Sequence, residues 1–207
     1  MAKIISFISR KGGTGKTTNA INLATTLHLL GKKVLLVETD TNYTLNTLRK
    51  MEMFKAQDGK AGFDILGSND NEVADELAKL KLTKGTDFII VDSAGKTTDE
   101  GIKKLCLASD AVIVPTSLTQ NDLLVTYQTI TDLSPARELN PQLRILVLPN
   151  RIHSATGIHT VRDNLKNLDA IILPVVVPQK NLFVNFSTLE AEKEYQPVAN
   201  AILNHLS

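Results

Sequence analysis

Cysteine is almost absent from this chain, and long apolar runs are missing altogether. The single Cys106 excludes a disulfide framework and an intrinsic cysteine-rich metal site, and its helix-like surroundings predict a small core residue. No apolar run approaches the roughly 18 residues that a membrane span needs, and the N-terminus lacks a secretory signal pattern. We therefore expect a cytoplasmic protein with no membrane partner.

An excess of charge of either sign is also missing. The chain carries 23 basic and 22 acidic side chains, so any binding to nucleic acid must come from a local basic patch. At 207 residues and 43% hydrophobic composition, the length suits one substantial core, because domains usually hold about 100–200 residues. No segment resembles a linker, and we predict a single domain over residues 1–207.

Short apolar runs alternate with helix-like segments along the chain. Leucine and alanine at positions 20, 23, 24, 27 and 30 form the stripe of a helix that ends near Gly31. This alternation predicts an α/β fold, in which helices cover both faces of a mostly parallel central sheet. Met51 to Ser68 is the least regular stretch, with turn signals at Asp58-Gly59-Lys60 and a short strand at Phe63 to Leu66; a helix then runs from Asp70 to Leu80. The predicted buried strands are Ile4 to Ile8, Val34 to Val37, Phe88 to Val91, Ala111 to Val114, Ile145 to Leu148 and Ile171 to Val177.

A phosphate-binding loop follows the first of these strands. Its sequence is Lys11-Gly12-Gly13-Thr14-Gly15-Lys16-Thr17-Thr18, and it opens a helix. Glycines allow backbone N–H groups to converge on an anion, and the helix N-terminus adds its positive dipole end. Lys16 is placed to reach the β- and γ-phosphates and Thr17 to ligate Mg²⁺, which predicts binding of a nucleoside triphosphate.

Acidic residues end two further strands at the same predicted edge of the sheet. Asp92 ends the run Asp87-Phe88-Ile89-Ile90-Val91-Asp92, a Walker B pattern that delivers its carboxylate to the magnesium shell. Glu38 and Asp40 end the second strand two residues apart, and alternation would turn both toward the same side. Gly95, just beyond Asp92, is suited to donate a backbone N–H to the γ-phosphate.

The phosphate loop resembles the deviant Walker A motif of the ParA/MinD family of dimerising ATPases, because Arg10 replaces its first glycine and Lys11 supplies an extra lysine. The resemblance implies that Lys11 crosses a homodimer interface to the partner's phosphates, and that Asp40 orients the attacking water. Glu38, Thr41 and Asn42 depart from the family's Asp-x-Asp-Pro-Gln, and we expect Glu38 to contact Mg²⁺ through water. Asn150 looks like the family's purine contact, and Pro178 belongs to a segment that resembles its base-side loop.

The function that the resemblance implies is an ATP-dependent switch for plasmid or DNA partition. ATP-bound dimers would bind nonspecific DNA at the nucleoid, act with a centromere-binding adaptor, and be released by a weak, partner-stimulated ATPase. The phosphate loop starts only ten residues into the sequence, so we expect no helix-turn-helix domain before it, as in short, ParF-like plasmid partition proteins. Candidate DNA contacts, each individually typical of a solvated surface charge, are Arg137, Arg144, Arg162, Lys166 and Lys180.

Three other functions are weighed against this one. A MinD-like spatial regulator would act through protein or membrane partners, but Pro197 to Ser207 contains no Lys or Arg for a basic amphipathic helix. An iron–sulfur reductase of the same superclass is excluded by the single cysteine. A small-molecule kinase would need an acceptor pocket that the sequence does not reveal.

Overall fold

The architecture comes from a computed structural model of the chain, which describes residues 1–40, 42–56, 61–69, 72–82, 84–95 and 98–206. Eight strands form a sheet in which every described pair is parallel, with the order β3-β2-β4-β1-β5-β6-β7 and β8 paired to β6. The predicted α/β class is confirmed. The strands are β1 Lys3–Phe7, β2 Val34–Glu38, β3 Asp64–Gly67, β4 Phe88–Asp92, β5 Ala111–Thr116, β6 Arg144–Ile152, β7 Ile171–Ile172 and β8 Val177–Pro178.

Helices cover both faces of the sheet, as the alternating pattern predicts. They are α1 Lys16–Leu29, α2 Thr44–Lys55, α3 Val73–Lys81, α4 Asp99–Ala108, α5 Gln120–Leu139, α6 Ile158–Leu165, α7 Asn181–Val184 and α8 Gln196–Leu203. Successive strand residues face opposite layers: Ile5 packs into the cluster with α1 and α8, whereas Ile4 packs into the cluster with α3 to α6. Among the described helices, none is long and apolar enough to cross a membrane.

Two predictions about local structure need correction. The stretch from Met51 to Lys55 is the end of α2 and not an irregular excursion, and the following strand begins one residue later than predicted, at Asp64. The run from Ile171 to Val177 is not one buried strand: it divides into β7 and β8 around Pro174, which has no N–H for a ladder, and Ile171 is exposed.

Other predictions are confirmed or lie outside the described residues. Cys106 is buried in α4, and burial raises the pKa of its thiol to about 12, so it is a small core residue. The predicted helix over Asp70 to Leu80 is α3, which the structure begins at Val73. Thr41, the turn signals at Asp58-Gly59-Lys60, Asp70 and Ser207 lie outside the described residues.

Candidate nucleotide site

Three motifs that are far apart in the sequence meet at the carboxyl edge of the sheet. Strands β2, β4 and β1 are neighbours in that order, so Asp40, Asp92 and the phosphate loop follow adjacent strand ends. Parallel sheets place ligands at this edge. The register pairs Glu38 with Asp92 and Phe7 with Asp92, which puts the acids of β2 and β4 beside the start of the loop.

The phosphate loop takes a conformation that requires glycine. Gly13 and Gly15 have φ of 77° and 100°, in the left-handed region that side chains disfavour. A Cβ on Gly15 would lie 2.2 Å from Nδ2 of Asn150. That amide donates to the carbonyl of Thr14 at 2.7 Å, and Nδ2 of Asn19 donates to the carbonyl of Gly15, also at 2.7 Å. The side-chain amides of two buried asparagines outside the loop therefore stabilise its backbone.

Lys16, Asp40 and Asp92 form one electrostatic cluster around the loop. Burial lowers the pKa of Lys16, whose side chain is nearly enclosed, while the charges of Asp92 and Asp40 oppose that shift. Asp40 is half-buried just beyond β2. The structure thus brings together the predicted phosphate-binding lysine, the predicted water-orienting acid and the predicted Walker B acid.

Asp92 and Thr17 fit a magnesium ion. Thr17 hydrogen-bonds the Asp92 carboxylate, yet Oδ1 of Asp92 is buried and has no hydrogen-bond partner among the described residues. No described cluster of three or more His, Cys, Asp or Glu residues could hold a metal ion. Magnesium needs no such cluster at a phosphate site, because it keeps water ligands and binds through one or two protein oxygens plus the phosphates.

The buried Asp92 predicts an unusual pH dependence of stability. Burial raises its pKa from the ordinary 3.8 to about 7, opposed by the hydrogen bond from Thr17 and the charge of Lys16. Between pH 3.8 and about pH 7, Asp92 holds a proton in the folded state that it has lost in the unfolded state. Raising the pH through this range therefore lowers the free energy of unfolding. We expect Asp92→Asn to remove a slope of at most about 1.4 kcal/mol per pH unit from the free energy of unfolding of the metal-free protein.

Urea titrations of wild type and Asp92→Asn at several pH values would measure this difference. Asp110→Asn is the matched control, because burial of Asp110 is outweighed by hydrogen bonds from the Ile4 amide and Lys81, which lower its pKa. The stabilisation that Asp110 contributes should be lost as the pH falls, which is the opposite pH dependence from that of Asp92. Parallel pH profiles for wild type and Asp92→Asn would contradict the assignment of a protonated Asp92.

Gly95 lies against the phosphate loop. An added Cβ there would lie 3.4 Å from Cα of Gly12 and 3.5 Å from Nζ of Lys16. The preceding Ala94 donates its amide to the hydroxyl of Thr39 at 2.9 Å, which ties the end of β4 to the end of β2. Gly95 is therefore next to the loop, and its role as a γ-phosphate sensor stays a prediction.

Lys11 is held within its own chain. Its Nζ lies 2.5 Å from Oδ1 of Asp122 in the first turn of α5. Burial opposes ionisation of Asp122, but hydrogen bonds from Lys11 and Ser117 outweigh it and lower the pKa of that carboxyl. Arg10, in the position of the usual glycine, forms ion pairs with Asp99 and Asp132. Both basic residues at the loop entrance are therefore neutralised by acids of α4 and α5.

The carboxylate of Glu38 contacts the start of α2. Its side chain is 1% exposed, and both carboxylate oxygens accept hydrogen bonds from the first turn of α2. Asp40 lies beyond the end of β2, so strand alternation does not govern its direction relative to Glu38. Besides burial, the charges of Glu38 and Asp40 both contribute to the raised pKa of Asp92, and a contact of Glu38 with magnesium through water stays a prediction.

A cleft of about 660 Å³ adjoins the loop on the side of β6 and β8. Its lining includes Thr18, Asn150, Arg151, Pro178 and Phe183. A volume of this size suits a small-molecule ligand such as a nucleoside. The predicted base-side residues Asn150 and Pro178 thus line one cleft, although the amide nitrogen of Asn150 is used to hold the loop. Their contact with a purine stays a prediction.

Sequence reasoning missed the residues that support the site. Asn19 accepts a hydrogen bond from the hydroxyl of Tyr195 at 3.0 Å while holding Gly15, and Asp122 pairs with Lys11 from 111 residues away. Asp122 follows β5, which lies beside β1 in the sheet, and this strand order brings it near the loop entrance. No signal in the sequence marks either contact.

The fold and the site together define a P-loop nucleotide-binding protein. The chain belongs to the CobQ/CobB/MinD/ParA nucleotide-binding domain family, which it matches over residues 5–192. The resemblance to ParA and MinD proteins is thereby confirmed.

Individual relatives agree with this family. Septum site-determining protein MinD of Bacillus subtilis is 31% identical over 100 residues, which cover 48% of this chain and 35% of MinD. Chromosome-partitioning ATPase Soj of Treponema pallidum is 58% identical over 40 residues, which cover 19% of this chain and 16% of Soj. These matches span well under half of each relative. A plasmid partition protein of Borrelia burgdorferi B31, solved with AMPPNP, has a TM-score of 0.71 at 21% identity and shares the fold over 99% of this chain and 98% of its own.

Proposed function

We propose that the chain is an ATP-dependent dimerising switch that acts in DNA partition. The observation that carries this proposal is Lys11, a second lysine at the entrance of a loop that already contains Lys16. A single chain has no evident need for both at one triphosphate. In the described chain, Lys11 lies on Asp122 at the surface of α5, with its side chain 36% exposed, and is available to a second chain.

ATP and Mg²⁺ are the proposed cofactors. Lys16 and the backbone of Gly12 to Thr18 would hold the phosphates, and Thr17 and Asp92 would hold the metal, which neutralises charge on the phosphates when it is bound. Asp40 would hold the attacking water by accepting its hydrogen bond. A Cβ added to Gly95 would lie 3.4 Å from Cα of Gly12, and this proximity to the loop supports a role for Gly95 at the γ-phosphate.

Dimerisation would depend on an exchange of partners by Lys11. In the single chain its ammonium group is paired with the carboxylate of Asp122. The partner's ATP offers a more highly charged anion, so the nucleotide and the second chain would be bound together. A cation in trans also places positive charge beside the negative charge of the phosphoryl group in the transition state, which contributes about 10³ to 10⁵ in rate for arginine fingers.

The partition role rests on similarity to Soj of Treponema pallidum and on the fold shared with the Borrelia partition protein. The proposed partners are nonspecific DNA, a centromere-binding adaptor and a second copy of the chain. Three of the five candidate DNA contacts are in ion pairs, namely Arg137 with Asp169, Lys166 with Asp163 and Lys180 with Glu194. Within the described part of the chain, Arg144 and Arg162 have no such pair and are the first to test.

DNA binding should require ATP and fall steeply with salt. A near-neutral chain attracts phosphate only through a local patch, and dimerisation doubles that patch. With Z phosphates neutralised, log K falls with log salt at a slope of about −0.9Z, so the dimer should show roughly twice the monomer's slope. Filter retention of random-sequence DNA at several salt concentrations, with a non-hydrolysable ATP analogue, ADP or no nucleotide, measures this.

Lys16→Ala serves as the control, because it should remove the nucleotide dependence without altering the surface patch. Equal DNA binding in all three nucleotide states would contradict a nucleotide switch. Absence of DNA binding in every state would instead favour a spatial regulator that acts through protein or membrane partners, as the similarity to MinD of Bacillus subtilis suggests.

A further inference from the structure

The side chain of Glu38 connects the end of β2 to the start of α2. Its Oε1 accepts from the backbone amide of Leu45 at 2.8 Å, and its Oε2 accepts from the amide of Asn46 at 3.3 Å. The side-chain amide of Asn46 also donates to Oε2, at 3.3 Å. The carboxylate is 1% exposed, so these donors and the helix terminus are what compensate its burial.

Helix α2 has no cap of its own. The residue at its N-cap position, Tyr43, has a φ of 46° and makes no side-chain capping bond, and the first turn contains no acidic residue. The first four N–H groups of a helix need acceptors, and a negative charge there is favourable. Glu38 supplies both from seven residues upstream of Leu45.

Asp40 lies between these two points. The amide of Thr39 donates to the carbonyl of Asp92 at 3.1 Å, which fixes the chain just before Asp40. Just after it, the amides of Asn42 and Tyr43 donate to Oδ1 and to the carbonyl oxygen of Asp40, each at 3.0 Å. The hydrogen bond from the amide of Leu45 to Glu38 then holds the start of α2 against the end of β2. Asp40 therefore lies between two anchored points of the chain.

We propose that Glu38 is a positioning residue that places Asp40 by capping α2, and that it does not ligate magnesium. This inference rests on the proposed hydrolytic function, since it assigns the group that holds the water-orienting acid in place. Both Glu38 oxygens accept hydrogen bonds from α2, whereas the neighbouring Asp92 has an oxygen without a partner among the described residues. At these two paired strand ends, Asp92 would hold the metal, whereas Glu38 binds the start of the helix.

The length of the side chain is essential to this role. An aspartate is shorter by one carbon–carbon bond, about 1.5 Å, and from the same backbone position it would leave the amide of Leu45 beyond hydrogen-bond reach. Glutamine keeps the length and one oxygen acceptor but lacks the charge. The pair Glu38→Asp and Glu38→Gln therefore separates a capping role from a metal-binding role, because each variant preserves what the other removes.

Steady-state ATP hydrolysis by wild type and the two variants is the first measurement. Misplacement of a catalytic group by about 1 Å can cost roughly 10²-fold, so we expect a fall in kcat of that order for Glu38→Asp. Glu38→Gln should keep most of the wild-type kcat. The KM for ATP and the Mg²⁺ concentration for half-maximal turnover should be unchanged in both. Glu52→Asp is the matched control: it shortens a carboxylate near the other end of α2, which accepts from the amide of Thr188 at 2.9 Å.

Amide hydrogen exchange in the nucleotide-free protein is the second measurement. The amide of Leu45 should be protected in wild type and in Glu38→Gln and should exchange faster in Glu38→Asp. A wild-type kcat in Glu38→Asp, a raised Mg²⁺ requirement in either variant, or equal exchange rates at Leu45 would overturn the proposal. A wild type that binds ATP without hydrolysing it would overturn the proposed function, and that outcome is visible before any Glu38 variant is compared.

Discussion

Lys11→Ala should abolish the ATP-dependent dimer and its hydrolysis while the single chain still binds ATP. The side chain of Lys11 lies on Asp122, and its backbone carbonyl accepts a hydrogen bond from Nζ of Lys16 at 3.4 Å. Removal of the side chain therefore leaves the phosphate-binding groups of the same chain intact. By analogy with arginine fingers, we expect a loss of about 10³ or more in the rate of hydrolysis.

Light scattering with a non-hydrolysable ATP analogue would measure the dimer, and titration calorimetry would measure ATP affinity. Lys32→Ala is a matched control, because Lys32 is an exposed lysine that follows α1, at the opposite end of that helix from the phosphate loop. A normal ATP dimer in Lys11→Ala would remove the case for a lysine that acts across an interface. Loss of ATP binding by the Lys11→Ala monomer would show that Lys11 belongs to the site of its own chain.

Lys16→Ala should have a different effect, the loss of nucleotide binding itself. Lys16 is 7% exposed, and its ammonium group is directed into the loop beside Asp92 and Asp40. A charge-assisted phosphate contact contributes about 1.5–3 kcal/mol, so ATP affinity should fall at least tenfold. Dimerisation and DNA binding should then fail as consequences.

Direct titration of ATP into wild type and Lys16→Ala measures this loss. Lys33→Ala provides the control for removal of one positive charge at an exposed position that follows α1. An unchanged ATP affinity in Lys16→Ala would mean that the loop is not the phosphate site. The two lysines of the loop thus have distinguishable phenotypes, because Lys16 acts before dimerisation and Lys11 acts through it.

The sequence predicted the phosphate loop and the strand that carries Asp92 because both depend on local pattern. Glycines that adopt positive φ, a lysine and a threonine in register, and an apolar run that ends in an acid are all visible along the chain. The confirmed α/β fold follows from the same apolar runs. Helix α2 was not predicted. Of its residues only Leu45 and Arg49 are buried, so it shows no broad face packed against the core.

Contacts across the fold could not be predicted in the same way. The bond between Glu38 and Leu45 requires knowledge that a helix begins at Thr44, and the ion pair between Lys11 and Asp122 joins residues 111 positions apart. Such pairs depend on the strand order, which places β5 beside β1 and the start of α5 near the loop. A pattern in the sequence indicates which residues carry charge, and the topology decides which of them meet.

The most direct test of the central claim, a phosphate site completed by Lys11 of a second chain, is a mixing experiment with Lys11→Ala and Asp40→Ala. Each variant alone should be inactive. In a mixed dimer, the site on the Lys11→Ala chain keeps its own Asp40 and receives an intact Lys11 from the partner, so ATP hydrolysis should reappear on mixing. If Lys11 acts within its own chain, every site in the mixture lacks one group, and continued absence of hydrolysis would contradict the account.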